Sequence, residues 1–366
     1  MSVPRVYSLG NTPILSYLTL CLANYSKQQK TVPNIILLLQ DKKKVQRFLQ
    51  NESHLELVDD MGNTVFKKQF MASCEPPKYA NGEFAELNNL LISENSFLAY
   101  KHNLHKYKSS LLKANCDNST NNILLLNPPL SVVQAYKDFF EENALVDKGR
   151  TPNLLIGRAT PPHAISSRSE FVSSQSITVK LINLEIINVF HNELDTAQCE
   201  LFKIINETSK EIPDKLMTST KSYNDYLIDT LEKIVVQSCF GPMSLLLDAN
   251  NKQLKATKYL YEPIWRKLCS ESSQILTAAY PQFTSRFTSE RLFDLCLFEL
   301  AKLSSNKRNP MLKSLKTNSE TNIDHVNGLL VRMAENLKMP CTMHKTIYRL
   351  AKANIKAHRL ENRLKH

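Results

Sequence analysis

Glycine is scarce. The chain has 7 glycines in 366 residues, where average usage would supply about 25. Glycine-rich phosphate loops need residues without a Cβ where the backbone closes on a ligand, so the shortage weighs against enzymes built on them. Metal-ligand spacing is missing too. The eight cysteines, Cys21, Cys74, Cys116, Cys199, Cys239, Cys269, Cys296 and Cys341, form no CxxC and stand at no zinc spacing with histidine. That pattern predicts no structural metal. Cysteines scattered in this way, with no secretory signal, point to a reducing compartment and mostly buried thiols. No apolar run reaches about 18 residues, so no membrane span is expected.

What is present is the composition of a folded protein, 42% hydrophobic and 22% charged. The length suits two domains. Charge is uneven: the chain carries a net +11, and residues 302–366 hold 14 Lys/Arg against 4 Asp/Glu. Nearly the whole surplus sits at the C-terminal end. A basic end of this kind draws RNA, a ribosome surface or anionic lipid, or is simply a solvated face.

The pattern along the chain is α/β and then α. "RVYSL" (5–9) is strand-like and Ile14–Asn24 has helical periodicity. "NIILLL" (34–39), "NILLLN" (122–127) and "PNLLIGRATPPHA" (152–164) read as strands buried on both faces of a parallel sheet, the last ending in a Pro-Pro loop. "QDKKKVQRFL" starts a helix with Asp41 as N-cap. "ITVKLINLEIINVF" (177–190) is strand-like, while 113–122 and 164–176 read as loops. From Tyr223 onward apolar residues recur at helical spacing. The expectation is a Rossmann-like parallel-sheet domain over residues 1–212 and an all-helical domain over 213–366, with the boundary at Ile212–Pro213.

The first turn tests for a cofactor. In a dinucleotide fingerprint three glycines make the turn, let the backbone approach the pyrophosphate and let helix pack on strand. Here those three positions read Gly10, Thr12 and Leu15, and Pro13 removes a helix N–H that would face phosphate. Only the turn glycine remains. The sequence predicts a Rossmann scaffold without its ligand, and no cofactor.

Residues 309–352, with Met311–Leu312, Ile323–Asp324 and Asn327–Gly328, together with "LEKIVVQSC" (231–239), resemble the ketopantoate reductase family. The resemblance implies a Rossmann domain followed by a helical domain, with substrate in a cleft between them. The family's general-acid lysine falls on Lys233, which by itself reads as an exposed or ion-paired helix lysine. The asparagine four residues on becomes Gln237, and the later Asn-Pro pair becomes Gly241–Pro242. The substrate-binding glutamate becomes Asn322 and the serine before "ML" becomes Pro310. In the cofactor domain the family's "QNG" reads Asn127–Pro128. The arginine that holds the NADP phosphate becomes Gln40, with Lys42–Lys44 just beyond. These substitutions imply no working reductase, and leave Lys233, Gly10 and Asn127 as vestiges. The alternatives kept open are an NADPH-dependent 2-oxo-acid reductase with an unusual site and a nucleotide pocket that senses redox state.

"PRVYSLGN" (4–11), "KQFMASCEPP" (68–77), "NGE" (81–83) and "LEKIVVQSC" also resemble a narrow fungal group of mitochondrial translational activators of cytochrome b. That resemblance implies a matrix protein, peripheral to the inner membrane. It would act on the 5′ leader of cytochrome b mRNA with the mitochondrial ribosome, alongside other translational activators. The N-terminus "MSVPRVYSLG" has one arginine and runs straight into the first strand, so an uncleaved or internal import signal is expected.

The last helix agrees with such a partner. Lys345, Arg349, Lys352, Lys356, Arg359 and Arg363 share one face at about 100° per residue. Ile347, Leu350, Ala353, Ala357, Leu360 and Leu364 form a neighbouring apolar stripe, expected to pack inward while the cations meet phosphates. A solvated face or a membrane-surface helix remains open. No RNP, KH or zinc-knuckle motif is present, so no sequence-specific base readout is indicated.

Overall fold

The structure is a computed structural model that describes residues 4–24, 34–113, 121–143, 152–161, 165–176, 181–190, 199–304 and 307–364. Parts of the loop expected at 113–122 and of the strand expected at 177–190 lie outside these. Two compact units divide at Asn224/Asp225.

The first unit runs β1 (Arg5–Gly10), α1 (Pro13–Asn24), β2 (Asn34–Leu38), α2 (Lys42–Gln50), β3 (His54–Asp59), β4 (Thr64–Gln69), β5 (Met71–Ser73), β6 (Asn89–Ser93), α3 (Phe97–Lys106), α4 (Lys108–Leu112), β7 (Asn122–Leu126), α5 (Leu130–Glu142), β8 (Asn153–Thr160), β9 (Ile165–Ser167), β10 (Val172–Gln175), β11 (Ile182–Asn188), α6 (Glu200–Glu211) and β12 (Leu216–Thr220). Eight strands form one sheet in the order β12-β11-β8-β7-β6-β1-β2-β5. Every pairing in it is parallel except β8 with β11. The central strands β6 and β7 are buried at every residue, as a parallel sheet covered on both faces requires.

A second sheet, ordered β4-β3-β10-β9, packs on α1. It explains the composition of that helix. Leu15, Tyr17, Leu18, Leu20, Cys21, Leu22 and Ala23 are all buried, so α1 is apolar around its whole circumference, which a helix tolerates only when enclosed. Of the loop expected at 164–176, the described residues 165–176 are not the loop their serines suggest. Their two short strands, β9 and β10, pair antiparallel, and β10 runs parallel to β3. The expected boundary also moves: β12, beyond Ile212–Pro213, pairs with β11 and belongs to the sheet.

The second unit is helical: α7 (Tyr223–Leu246), α8 (Asn251–Ala256), α9 (Lys258–Ala279), α10 (Ser289–Lys302), α11 (Pro310–Lys316), α12 (Asn327–Asn336) and α13 (Thr342–Leu364), with short 3-10 turns at Pro281–Arg286 and Asn322–His325. Trp265 on α9 is fully buried between Tyr261 and Phe240, and its indole N–H reaches the Cys239 carbonyl at 3.1 Å. Burying an aromatic with its one polar atom satisfied anchors α9 on α7. Among the described residues no helix is long and apolar enough to cross a membrane.

Candidate functional site

In the main sheet the strand order changes direction beside β1, where a dinucleotide would lie at the strand's carboxyl end. Gly10 ends β1 with φ +128, and a Cβ there would stand 1.9 Å from the Ser93 carbonyl oxygen. The Asn11 N–H donates to that same oxygen at 3.3 Å. Gly10 is thus required by the closeness of β6, with no ligand invoked.

The helix start that should face phosphate is occupied by its own residues. Pro13 has no N–H. The Leu15 N–H donates to Thr12 Oγ1 at 3.4 Å and the Ser16 N–H to the Thr12 carbonyl at 3.2 Å. Thr12 and Leu15 are both buried. The hollow beside this turn, between Gly10, Leu15, Leu37, Lys44 and Phe171, has a free volume of about 30 Å³. That is room for one or two waters, where ligand clefts hold roughly 300 Å³ or more. Phe171 closes it from the second sheet, stacked edge-on against Phe48 at 5.1 Å, while Glu170 pairs with Arg47 at 3.0 Å. The hollow itself is too small to enclose a dinucleotide.

The other expected cofactor contacts hold the fold. Asn127, at φ 47, donates its N–H to the Gly157 carbonyl at 2.8 Å, and its side-chain oxygen accepts from the Ala159 N–H at 2.9 Å, joining the ends of β7 and β8. Asp41 is the N-cap of α2, accepting from the Lys44 N–H at 2.8 Å. Lys42 pairs with Glu75 at 3.6 Å.

In the helical unit Lys233 and Gln237 lie one turn apart on α7, both exposed. Pro310 opens α11 behind the N-cap Asn309, whose side chain accepts from the Met311 N–H at 3.0 Å. The serine position has become a helix start, where proline's missing N–H costs nothing. Asn322 begins the 3-10 turn and is half-buried. Gly241 leaves room for Met311, whose methyl carbon would stand 2.8 Å from an added Cβ. Asp324 accepts from Lys352 at 2.9 Å and from the Tyr348 hydroxyl.

Asn327 is the centre of a buried network that the sequence did not suggest. Its amide nitrogen donates to the Ser238 carbonyl at 3.2 Å and faces His344 Nδ1 at 3.4 Å. His344 Nε2 lies 3.1 Å from the Leu268 carbonyl and 2.9 Å from Ser272 Oγ. A carbonyl only accepts, so Nε2 carries the proton and Nδ1 is the acceptor. Burial pushes the His344 pKa below its usual 6.5. Glu271, also buried, accepts from the Met343 and His344 N–H groups at 3.0 Å each, capping α13 from α9. This links α7, α9, α12 and α13 by polar bonds. The family's "NG" pair is carrying structure.

The cation ridge is at the surface. Arg349, Lys352, Lys356 and Arg359 are exposed, and Lys345 is half-buried. Lys345 pairs with Glu335 at 3.0 Å and Lys352 with Asp324 at 2.9 Å. The side chain of Arg363 lies outside the described residues. The apolar stripe corrects the expected packing. Of its members only Ile347 is buried; Leu350 is 51%, Leu360 50% and Leu364 87% exposed. The helix packs instead through His344, Ile347, Ala351 and Ile355. The reason is angular. Residues 344, 347, 351 and 355 centre about 140° away from the leucine stripe at 100° per residue. The outer face of α13 is therefore a cation ridge beside an exposed leucine row.

One further convergence lay beyond the reach of local spacing: Cys239, Cys269 and Cys296, on α7, α9 and α10, are buried together.

Residues 225–355 match the family described as ketopantoate reductase PanE/ApbA, C terminal. A solved structure of the putative 2-dehydropantoate 2-reductase from Enterococcus faecalis superposes with a TM-score of 0.65 at 13% identity, covering 97% of this chain and 99% of that one. The fold is that of the ketopantoate reductases. Among curated proteins, the chain is 29% identical to the cytochrome B translational activator CBS2 of Saccharomyces cerevisiae, over 96% of this chain and 95% of that protein. It is 23% identical to a probable 2-dehydropantoate 2-reductase of Schizosaccharomyces pombe, over 96% of each.

Proposed function

We propose that this protein is a non-catalytic translational activator of mitochondrial cytochrome b mRNA, acting at the 5′ leader with the mitochondrial ribosome. The observation that carries the reading is the end-to-end likeness to the yeast activator, higher in identity than the likeness to the fission-yeast reductase. The first turn supports it: Pro13 removes one helix N–H, Thr12 engages that of Leu15, and little volume is left for a pyrophosphate. The helical unit supports it as well, since Asn322 and Pro310 offer neither the carboxylate nor the hydroxyl of the reductase pattern.

On this reading the protein sits in the mitochondrial matrix, peripheral to the inner membrane, and its outward basic face on α13 meets RNA or ribosome. Deleting the gene and labelling translation products in isolated mitochondria tests the proposal. Loss of cytochrome b with other products unchanged is expected, and a uniform fall or no change refutes it. The alternative is an NADPH-dependent 2-oxo-acid reductase, favoured by the fold. Calorimetric titration with NADPH separates the two, because micromolar binding would restore that alternative.

A further inference from the structure

Three thiols from three different helices meet in the core of the helical unit. Cys239 (α7), Cys269 (α9) and Cys296 (α10) are each 0% exposed, and all three sulfurs lie within 4.8 Å of one another. Cys269 and Cys239 each stand 3.8 Å from Cys296. An ion about 2.3 Å from each of three sulfurs holds them about 4 Å apart. The sulfurs are therefore already spaced as ligands, and filling the site needs only small shifts.

The surroundings select the ion. Among the described residues no fourth cysteine, histidine or carboxylate joins the group. His344 has both nitrogens engaged, one with Asn327 and the other with Leu268 and Ser272. Glu271 spends both oxygens on the N-terminus of α13. Soft thiolates select Cu(I), zinc or iron–sulfur clusters, and structural zinc and iron–sulfur sites close with four protein ligands, which leaves Cu(I) for three.

We propose that Cys239, Cys269 and Cys296 form a three-coordinate site for Cu(I), departing from the absence of metal that their spacing in sequence predicted. Each ligating thiol gives its proton to water as the ion binds, and no electron is transferred. Occupancy ties α7, α9 and α10 together, so the stability of the helical unit follows copper supply.

The test uses the full-length chain, reduced and oxygen-free, titrated with Cu(I) as its acetonitrile complex against a chromogenic Cu(I) chelator. Loading is tried both on the folded protein and during refolding. One copper per chain is expected, with a shell of three sulfurs in X-ray absorption. At copper a hundred-fold above Kd the melting midpoint should rise by roughly 5–10 °C. Cys269→Ser should lose the site, and Cys74→Ser, a half-buried thiol elsewhere, should keep it. If Cys269→Ser fails to fold, the sulfur shell of the wild-type protein decides. Fewer than three sulfurs, copper lost in Cys74→Ser, no uptake by either route, or Zn(II) displacing Cu(I) at equal concentration would each overturn the assignment.

Discussion

The face of α13 makes a quantitative prediction about salt. Arg349, Lys356 and Arg359 are exposed and make no ion pair among the described residues, whereas Lys345 and Lys352 are each held by a carboxylate within 3.0 Å. A cation already neutralised inside the protein displaces fewer counterions from a polyanion. The three unpaired residues should therefore carry most of the electrostatic contact. For single-stranded RNA each phosphate contact contributes about 0.7 to the slope of log K against log salt. Changing Arg349, Lys356 and Arg359 to glutamine should lower that slope by about 2. The ratio of wild-type to variant affinity should then shrink about 20-fold between 50 and 200 mM salt. Folding should be unaffected, since substitutions at such exposed positions shift stability by about 0.5 kcal/mol or less. Anisotropy titration of the labelled cytochrome b leader, or ribosome co-sedimentation, across that salt range measures it. Parallel salt lines for the two proteins would refute the reasoning. So would an equal effect from glutamine at Lys252, Lys258 and Lys267, which are exposed in the same unit but belong to α8 and α9.

Other outcomes follow from the same contacts. Gly10→Ala forces a Cβ into the Ser93 carbonyl and should destabilise the first unit by at least about 2 kcal/mol in urea unfolding. Glu271→Gln keeps the shape but leaves one acceptor for two N–H groups, so it should cost about 1–3 kcal/mol by the same assay. His344 and His325 are both pushed below 6.5, by burial first. Unfolded histidine takes up a proton that the folded side chains refuse. Stability should therefore fall as pH drops below about 6.5, by up to 1.4 kcal/mol per pH unit for each histidine. His344→Gln should show a shallower fall.

The parts legible in the sequence were those with local cause. The buried runs at 34–39 and 122–127, the Asp41 cap and the change of period at Tyr223 each depend on neighbours a few residues away. β6 was missed because three apolar residues between polar ones, Leu90–Ile92, read equally as a helix fragment. The second sheet was missed because β9 and β10 are short and serine-rich, and exist to cover α1, a reason visible only in three dimensions. The leucines of α13 were assigned inward because a stripe identifies a face without saying which way it turns. The cysteines were read by spacing along the chain, which detects ligands on one loop and not thiols delivered by three helices.

Lys233 apart, the reductase signature divides by what each residue does here. Gly10, Asn127, Asp324, Asn327 and Gly328 remain, and each touches a strand or helix of its own unit. The positions that have changed, Thr12, Pro13, Leu15, Pro310 and Asn322, are ones a ligand would require. A match built on the first group reports packing and is silent on chemistry. On the proposed reading the missing glycines are also hard to restore. Restoring the fingerprint with Thr12→Gly and Leu15→Gly would remove a cap and a leucine that is 2% exposed in the core of the first unit. Deleting a buried leucine side chain alone costs about 2–5 kcal/mol, before the added flexibility of two glycines. The double variant should unfold at lower urea and still bind no NADPH, because Phe171 and the second sheet continue to fill the hollow. Micromolar NADPH binding by a folded double variant would show instead that the two lost glycines were the only barrier.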